Sequence, residues 1–161
     1  MLGTSYAEHP GGKGLNQAVA AARSGARVAF VGAVGADAAG ERLRGVLADD
    51  GIDASGLRTV DAPTGRALII VDGHAENSIV VVPGANASLL PPLDLPASAV
   101  VLCQLEVPIE SVVAALLAAR HAGARTILNP APAAGLQAEV LSACDVIVPN
   151  EHEVELLGGV A

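Results

Sequence analysis

Gly11-Gly12-Lys13-Gly14-Leu15-Asn16-Gln17-Ala18-Val19-Ala20-Ala21-Ala22-Arg23 is the stretch from which the rest of the chain is read. Glycines at 11, 12 and 14 free the backbone to take positive φ and to approach a ligand closely. The residues that follow are strong helix formers, so the loop is expected to run straight into a helix N-terminus. Unpaired N–H groups and the positive end of the dipole favour a polar or anionic ligand there. Lys13 adds an ammonium, and Asn16 adds two donors and an acceptor, a mixture suited to a polyhydroxyl compound whose every OH gives and takes a hydrogen bond. A tight turn that merely starts a helix is the simpler alternative. A Walker phosphate loop fits poorly, because the spacing G-x-x-x-x-G-K-[ST] is absent and Gly14 follows Lys13 where a hydroxyl residue belongs.

Working outward, the loop's helix is expected over Leu15–Ser24, with Gly25 just past its end. A buried strand follows over Arg27–Val31. Gly32-Ala33-Val34-Gly35-Ala36-Asp37 then reads as a turn, with Asp37 as N-cap of a helix that stops near Gly51. Glycines at 32, 35 and 40 do not spell G-x-G-x-x-G, so a dinucleotide site is not expected. On the other side of the loop, residues 1–10 alternate in character and are compatible with a short exposed strand.

Thr64–Asp72 and Ser78–Val82 read as the two arms of a hairpin around Gly73-His74-Ala75-Glu76. Both arms are apolar on both faces, so the hairpin needs a cover, either its own domain or a partner chain. The remainder alternates in the manner of a parallel α/β sheet. Strands are expected at Ala99–Leu105, Arg125–Leu128 and Asp145–Val148, with a helix ending at Gly123 and another around Leu136–Ala143.

Composition narrows the classes. With 161 residues the chain can bury a real core, and its apolar runs are only strand-length despite 52% hydrophobic residues, so no membrane span is expected. A net charge of −8 and 1% aromatic residues leave neither a basic stripe nor stacking platforms for nucleic acid. Cys103 and Cys144 lack any metal-ligand spacing and read as buried structural thiols. No secretory pattern is apparent, which makes the cytoplasm the expected setting.

Residues 11–43, GGKGLNQAVAAARSGARVAFVGAVGADAAGERL, resemble the first signature region of the ribokinase family of sugar kinases, the PfkB carbohydrate kinases. Gly84-Ala85-Asn86, Gln104-Leu105-Glu106, Asn129-Pro130-Ala131-Pro132 and Asn150-x-x-Glu153 resemble further segments of the same family. Leu15 stands where the family has a small residue. The resemblance implies an α/β fold: a ribokinase-like parallel sheet flanked by helices with a small β-lid hairpin, incomplete at both ends. It makes residues 1–161 a partial domain, with lid segments at about 1–10 and 64–83.

By the same resemblance Gly11, Gly12, Lys13, Gly14, Asn16 and Glu106 bind the sugar, Asn150 contacts the nucleotide phosphates, and Glu153 holds waters around Mg²⁺. Helix-start roles for Glu106 and for the Asn150–Glu153 pair are the plainer alternatives. The implied reaction transfers the γ-phosphoryl group of ATP to a sugar's primary hydroxyl, with D-ribose the favoured acceptor. A monovalent cation and a homodimer through the lid hairpin are also implied. The family's catalytic aspartate lies in a G-A-G-D-type motif that these residues do not contain; the cation's site is likewise outside them. The expectation is therefore a fragment inactive on its own. Alternatives are a non-catalytic sugar-binding or dimerising module, or a kinase for another sugar or nucleoside.

Overall fold

The computed structural model describes residues 5–71, 73, 77–132, 136 and 138–158. Its elements run α1 (Lys13–Arg23), β1 (Ala29–Gly35), α2 (Ala38–Asp49), β2 (Asp53–Val60), β3 (Arg66–Val71), β4 (Asn77–Val82), a 3₁₀ turn (Gly84–Ser88), β5 (Val100–Cys103), α3 (Ile109–His121), β6 (Arg125–Leu128), α4 (Ala138–Ser142), β7 (Val146–Ile147) and α5 (Glu151–Leu156). The expected class is observed: parallel strands flanked by helices, with a separate antiparallel hairpin. The strands form three ladders, β1–β2 parallel, β3–β4 antiparallel and β5–β6–β7 parallel.

The first layer is built on β1 and β2. Leu15 and Ala18 of α1, Val34 of β1, Leu47 of α2 and Leu57 of β2 share one core with Ile52. Burying a leucine such as Leu47 stabilises by about 1.5–3 kcal/mol relative to leaving it in water, so the apolar stripes of α1 and α2 fix both helices against the pair of strands. A second core joins Val112 and Leu116 of α3 to Leu128 of β6 and Val140 of α4. Between them Ala33 of β1 packs on Ala85 of the 3₁₀ turn and on Leu89.

Several expectations are corrected. Residues 5–10 form no strand; they are exposed, and among the described residues their contacts run through the side chains of Tyr6 and Glu8. Helix α1 starts two residues earlier than expected, at Lys13, because Gly12 turns the chain at φ +100°. Ala33–Gly35 belong to β1 and not to a turn. They run beside β2, a strand the sequence did not announce, in the register Gly32↔Leu57 and Gly35↔Val60. Glycine is required at 35, where a Cβ would lie 2.4 Å from the Ala62 carbonyl oxygen. The chain of β1 therefore continues where a tight turn was expected, and its neighbour approaches through the missing side chain.

The hairpin is where the sequence placed it, with Ile69 opposite Ile79 and Leu68 opposite Val80. The expected turn Gly73-His74-Ala75-Glu76 lies mostly outside the described residues. Neither face of the hairpin packs within its own domain: Ile69 is 58% and Ile79 57% exposed. The cysteines are free and half-buried, and burial pushes the Cys103 thiol up to about 12. Among the described residues no helix is long and apolar enough to cross a membrane.

Candidate functional site

The N-terminus of α1 is the centre of the site. Gly12 takes φ +100°, a conformation that other residues rarely adopt, and it is the N-cap with no side chain to offer the first turn. A carboxylate from elsewhere fills that role. The Lys13 backbone N–H donates to Glu106 Oε2 at 2.6 Å, across 93 residues of sequence. Glu106 sits just beyond β5, in the loop that leads to α3. Its charge faces the positive end of α1 and not that of α3, where Pro108 is the N-cap. The helix-start reading of Glu106 is therefore right in kind but attached to a different helix. Among the described residues no donor is hydrogen-bonded to its second oxygen.

Gly14 lies one residue into the same turn. A Cβ there would sit 3.1 Å from Gln104 Oε1 and 3.5 Å from the Phe30 ring, so the missing side chain lets α1 settle between β1 and the end of β5. Gly11 is exposed with open space around it, and Asn16 is exposed in the first turn of α1. Thus Gly12 and Lys13 are brought against Glu106 and Gly14 against Gln104, while Gly11 and Asn16 are exposed beside them.

A row of amides crosses the carboxyl ends of the strands; the sequence marks Asn129 as a polar group at such an end but does not announce the row. Gln104 donates to the Gln17 side-chain oxygen, Gln17 Nε2 donates to Asn129 Oδ1 at 3.1 Å, and Asn129 Nδ2 donates to the Val148 carbonyl at 2.9 Å. The local signal was present but partial. Gln17 is one helical turn after Lys13, and Gln104 and Asn129 each follow a strand, the places where open parallel sheets bind ligands. Nothing in the sequence says that the three meet.

Asn150 and Glu153 are placed together by a capping box. Asn150 Oδ1 accepts from the Glu153 N–H at 2.9 Å, and Glu153 Oε2 accepts from the Asn150 N–H at 2.8 Å. Glu153 is buried and one of its oxygens is committed to the cap. Among the described residues no three His, Cys, Asp or Glu side chains group together as metal ligands.

A second polar knot lies below the hairpin. Asp37 caps α2 through Gly40 N–H at 2.8 Å and also accepts from the Thr64 N–H at 2.8 Å and its hydroxyl at 2.6 Å. The Gly35 N–H completes the knot on Thr64 Oγ1 at 3.0 Å. The Thr64 hydroxyl, followed by the two backbone N–H groups, holds the Asp37 carboxyl down at about 2. Gly65 and Gly84 cross here, and Ala85 N–H donates to the Pro63 carbonyl at 2.8 Å. Both arms of the hairpin therefore leave the core through one compact crossing.

A parallel α/β scaffold with a projecting hairpin, and a glycine loop opposed by a carboxylate beyond the strand ends, is the place where open α/β folds hold ligands. The family model of the pfkB family carbohydrate kinases matches residues 1–161, and the chain belongs to that family. It is 43% identical to a ribokinase of Haemophilus influenzae over 99% of this chain and 55% of that protein. Its fold is similar to that of an Arabidopsis thaliana ribokinase complexed with ribose and ATP (TM-score 0.84, 32% identity, 91% of this chain and 51% of that one). It is also similar to a Cryptococcus neoformans ribokinase in complex with ADP (TM-score 0.85, 34% identity, 98% and 52%). The chain spans about half the length of the relatives it matches.

Proposed function

We propose that these residues supply the sugar cradle and part of the nucleotide site of a kinase that transfers the γ-phosphoryl group of ATP to the primary hydroxyl of D-ribose, giving ribose 5-phosphate. The observation that carries the reading is the Glu106–Lys13 contact at the glycine loop. It holds one carboxylate oxygen still and leaves the other to accept from sugar hydroxyls, while Gly11, Gly12, Gly14 and Asn16 line the same loop and Lys13 is assigned to the sugar with them. Asn150, at the N-terminus of α5, is our candidate for the nucleotide phosphates. The names of the relatives, ribokinases in complex with ribose and ATP or with ADP, support ribose and an adenine nucleotide as the ligands. The accepting hydroxyl must lose its proton during transfer, and we assign that proton to no residue of these 161. We place the protein in the cytoplasm and read residues 1–161 as one α/β domain with lid segments at about 1–10 and 64–83.

Calorimetric titration with ribose tests the cradle. Losing a hydrogen bond to a charged group costs about 1.5–3 kcal/mol, so Glu106→Ala is expected to weaken ribose binding on the order of 10- to 100-fold. Equal affinity of wild type and variant would sink the assignment. Ribose binding with no ribose 5-phosphate formed from ATP by the intact protein isolated from its own cells would favour a sugar-binding module over a kinase.

The exposed hairpin supports a second copy as its cover. We read Ile69 and Ile79, directly opposed and more than half exposed, as the middle of that contact. Light scattering of the purified chain is expected to give a dimer, and Ile69→Lys a monomer. A wild-type monomer at tens of micromolar would count against the contact.

A further inference from the structure

Residues 5–10 carry no secondary structure, yet one carboxylate in them meets three other groups. Glu8 Oε2 accepts from Arg42 Nη1 of α2 at 3.2 Å, Glu8 Oε1 lies 3.6 Å from Arg66 Nη1, and the same oxygen accepts from the Tyr6 hydroxyl. Arg66 is the first residue of the hairpin, directly after the Thr64–Gly65 crossing. Four residues beyond Glu8 the chain turns at Gly12 into α1, where Lys13 meets Glu106. The chain that leads into the glycine loop is thus attached at one end, through the Lys13 N–H, to Glu106. At the other end it is attached to the base of the hairpin and to α2.

We infer that Glu8 is a positioning residue, a clasp through which the glycine loop and the hairpin base are held in register, so that a sugar seated on the loop also sets the hairpin. The inference rests on the sugar-binding reading for its ligand, but not for the clasp itself. The charges around Glu8 suit this role. Arg42 and Arg66 are both cationic and roughly half exposed, and the Tyr6 and Arg42 hydrogen bonds hold the carboxyl below its ordinary range. Exposed pairs are individually weak and are screened by salt. A contact of that kind contributes little to holding a fold together, but it can open and re-form as its partners move.

The protein supplies its own reporter, because Tyr6 is the single tyrosine and there is no tryptophan. Tyrosine fluorescence anisotropy of the ligand-free chain is expected to fall in Glu8→Gln. It should also fall in Arg66→Gln, and no further in the double variant. In about 1 M NaCl, where the screening length is only about 3 Å, wild type should match the variants. Unchanged anisotropy in Arg66→Gln, or effects of the two substitutions that simply add, overturns the clasp. In a second measurement Glu8→Gln is expected to weaken ribose binding roughly two- to five-fold at low salt, with the difference gone at high salt. Equal ribose affinity at low salt overturns the link to the site. A wild type that binds no ribose at all defeats the functional reading, and the anisotropy series still decides the clasp.

Discussion

Gly84→Ala is expected to destabilise the protein by about 3 kcal/mol, combining left-handed strain with a backbone clash, and to lower Tm by roughly 6–12 °C. Gly84 has φ +51°, and a Cβ built on it would lie 2.3 Å from the Pro63 carbonyl oxygen and 3.2 Å from the Gly65 Cα. Both neighbours are main chain at the crossing where the hairpin leaves the core, so neither can step aside like a flexible side chain. Ala85, fully buried next in sequence, holds the crossing from below. Gly25→Ala is the matched control: its φ is +92° but nothing lies within 4 Å of the added Cβ. That variant carries only the conformational penalty, about 1 kcal/mol. Thermal melts of the two variants separate the causes. Equal losses would mean that backbone conformation, and not the crossing, sets the requirement for glycine at 84.

The second large effect is expected at Asp37. Its carboxylate caps α2 and accepts from both the N–H and the hydroxyl of Thr64, so Asp37→Ala removes a cap and leaves two donors of a buried residue without their partner. A drop in Tm of several degrees is expected, together with loosening of the hairpin base, because Thr64 precedes β3 by two residues. The pH dependence has a definite sign. Hydrogen bonding holds the folded-state carboxyl at about 2 against an ordinary value of 3.8, so between those values the unfolded chain binds more protons. The stabilisation is complete above pH 4 and fades as the pH falls toward 2. Asp37→Asn should therefore melt with a flatter profile over that interval than wild type. A parallel pair of profiles would show that Asp37 is not the group titrating.

Much of this site was legible because it is encoded locally. The glycine loop and its helix, the Asp37 cap and the capping box at Asn150 and Glu153 each depend on residues within a turn of one another. The hairpin was equally readable, since two β-branched runs around a polar turn have few alternatives. Reading failed where a strand is defined by its neighbour. Gly32-Ala33-Val34-Gly35 looks like a turn in isolation and becomes strand only because β2 lies beside it. Asp53–Val60 shows weak alternation of its own and is a strand for the same reason.

Local pattern and helix-end chemistry thus determined the α/β alternation, the loop, the caps and the apolar hairpin, because their free energies are gained within a few residues. Tertiary structure alone decided that Glu106 would cap α1, that Thr64 would bind Asp37, and that Gln104, Gln17 and Asn129 would form one row. Those pairings lie 27 to 112 residues apart. They follow from how parallel strands and their crossover helices pack, and no short window of sequence contains both partners.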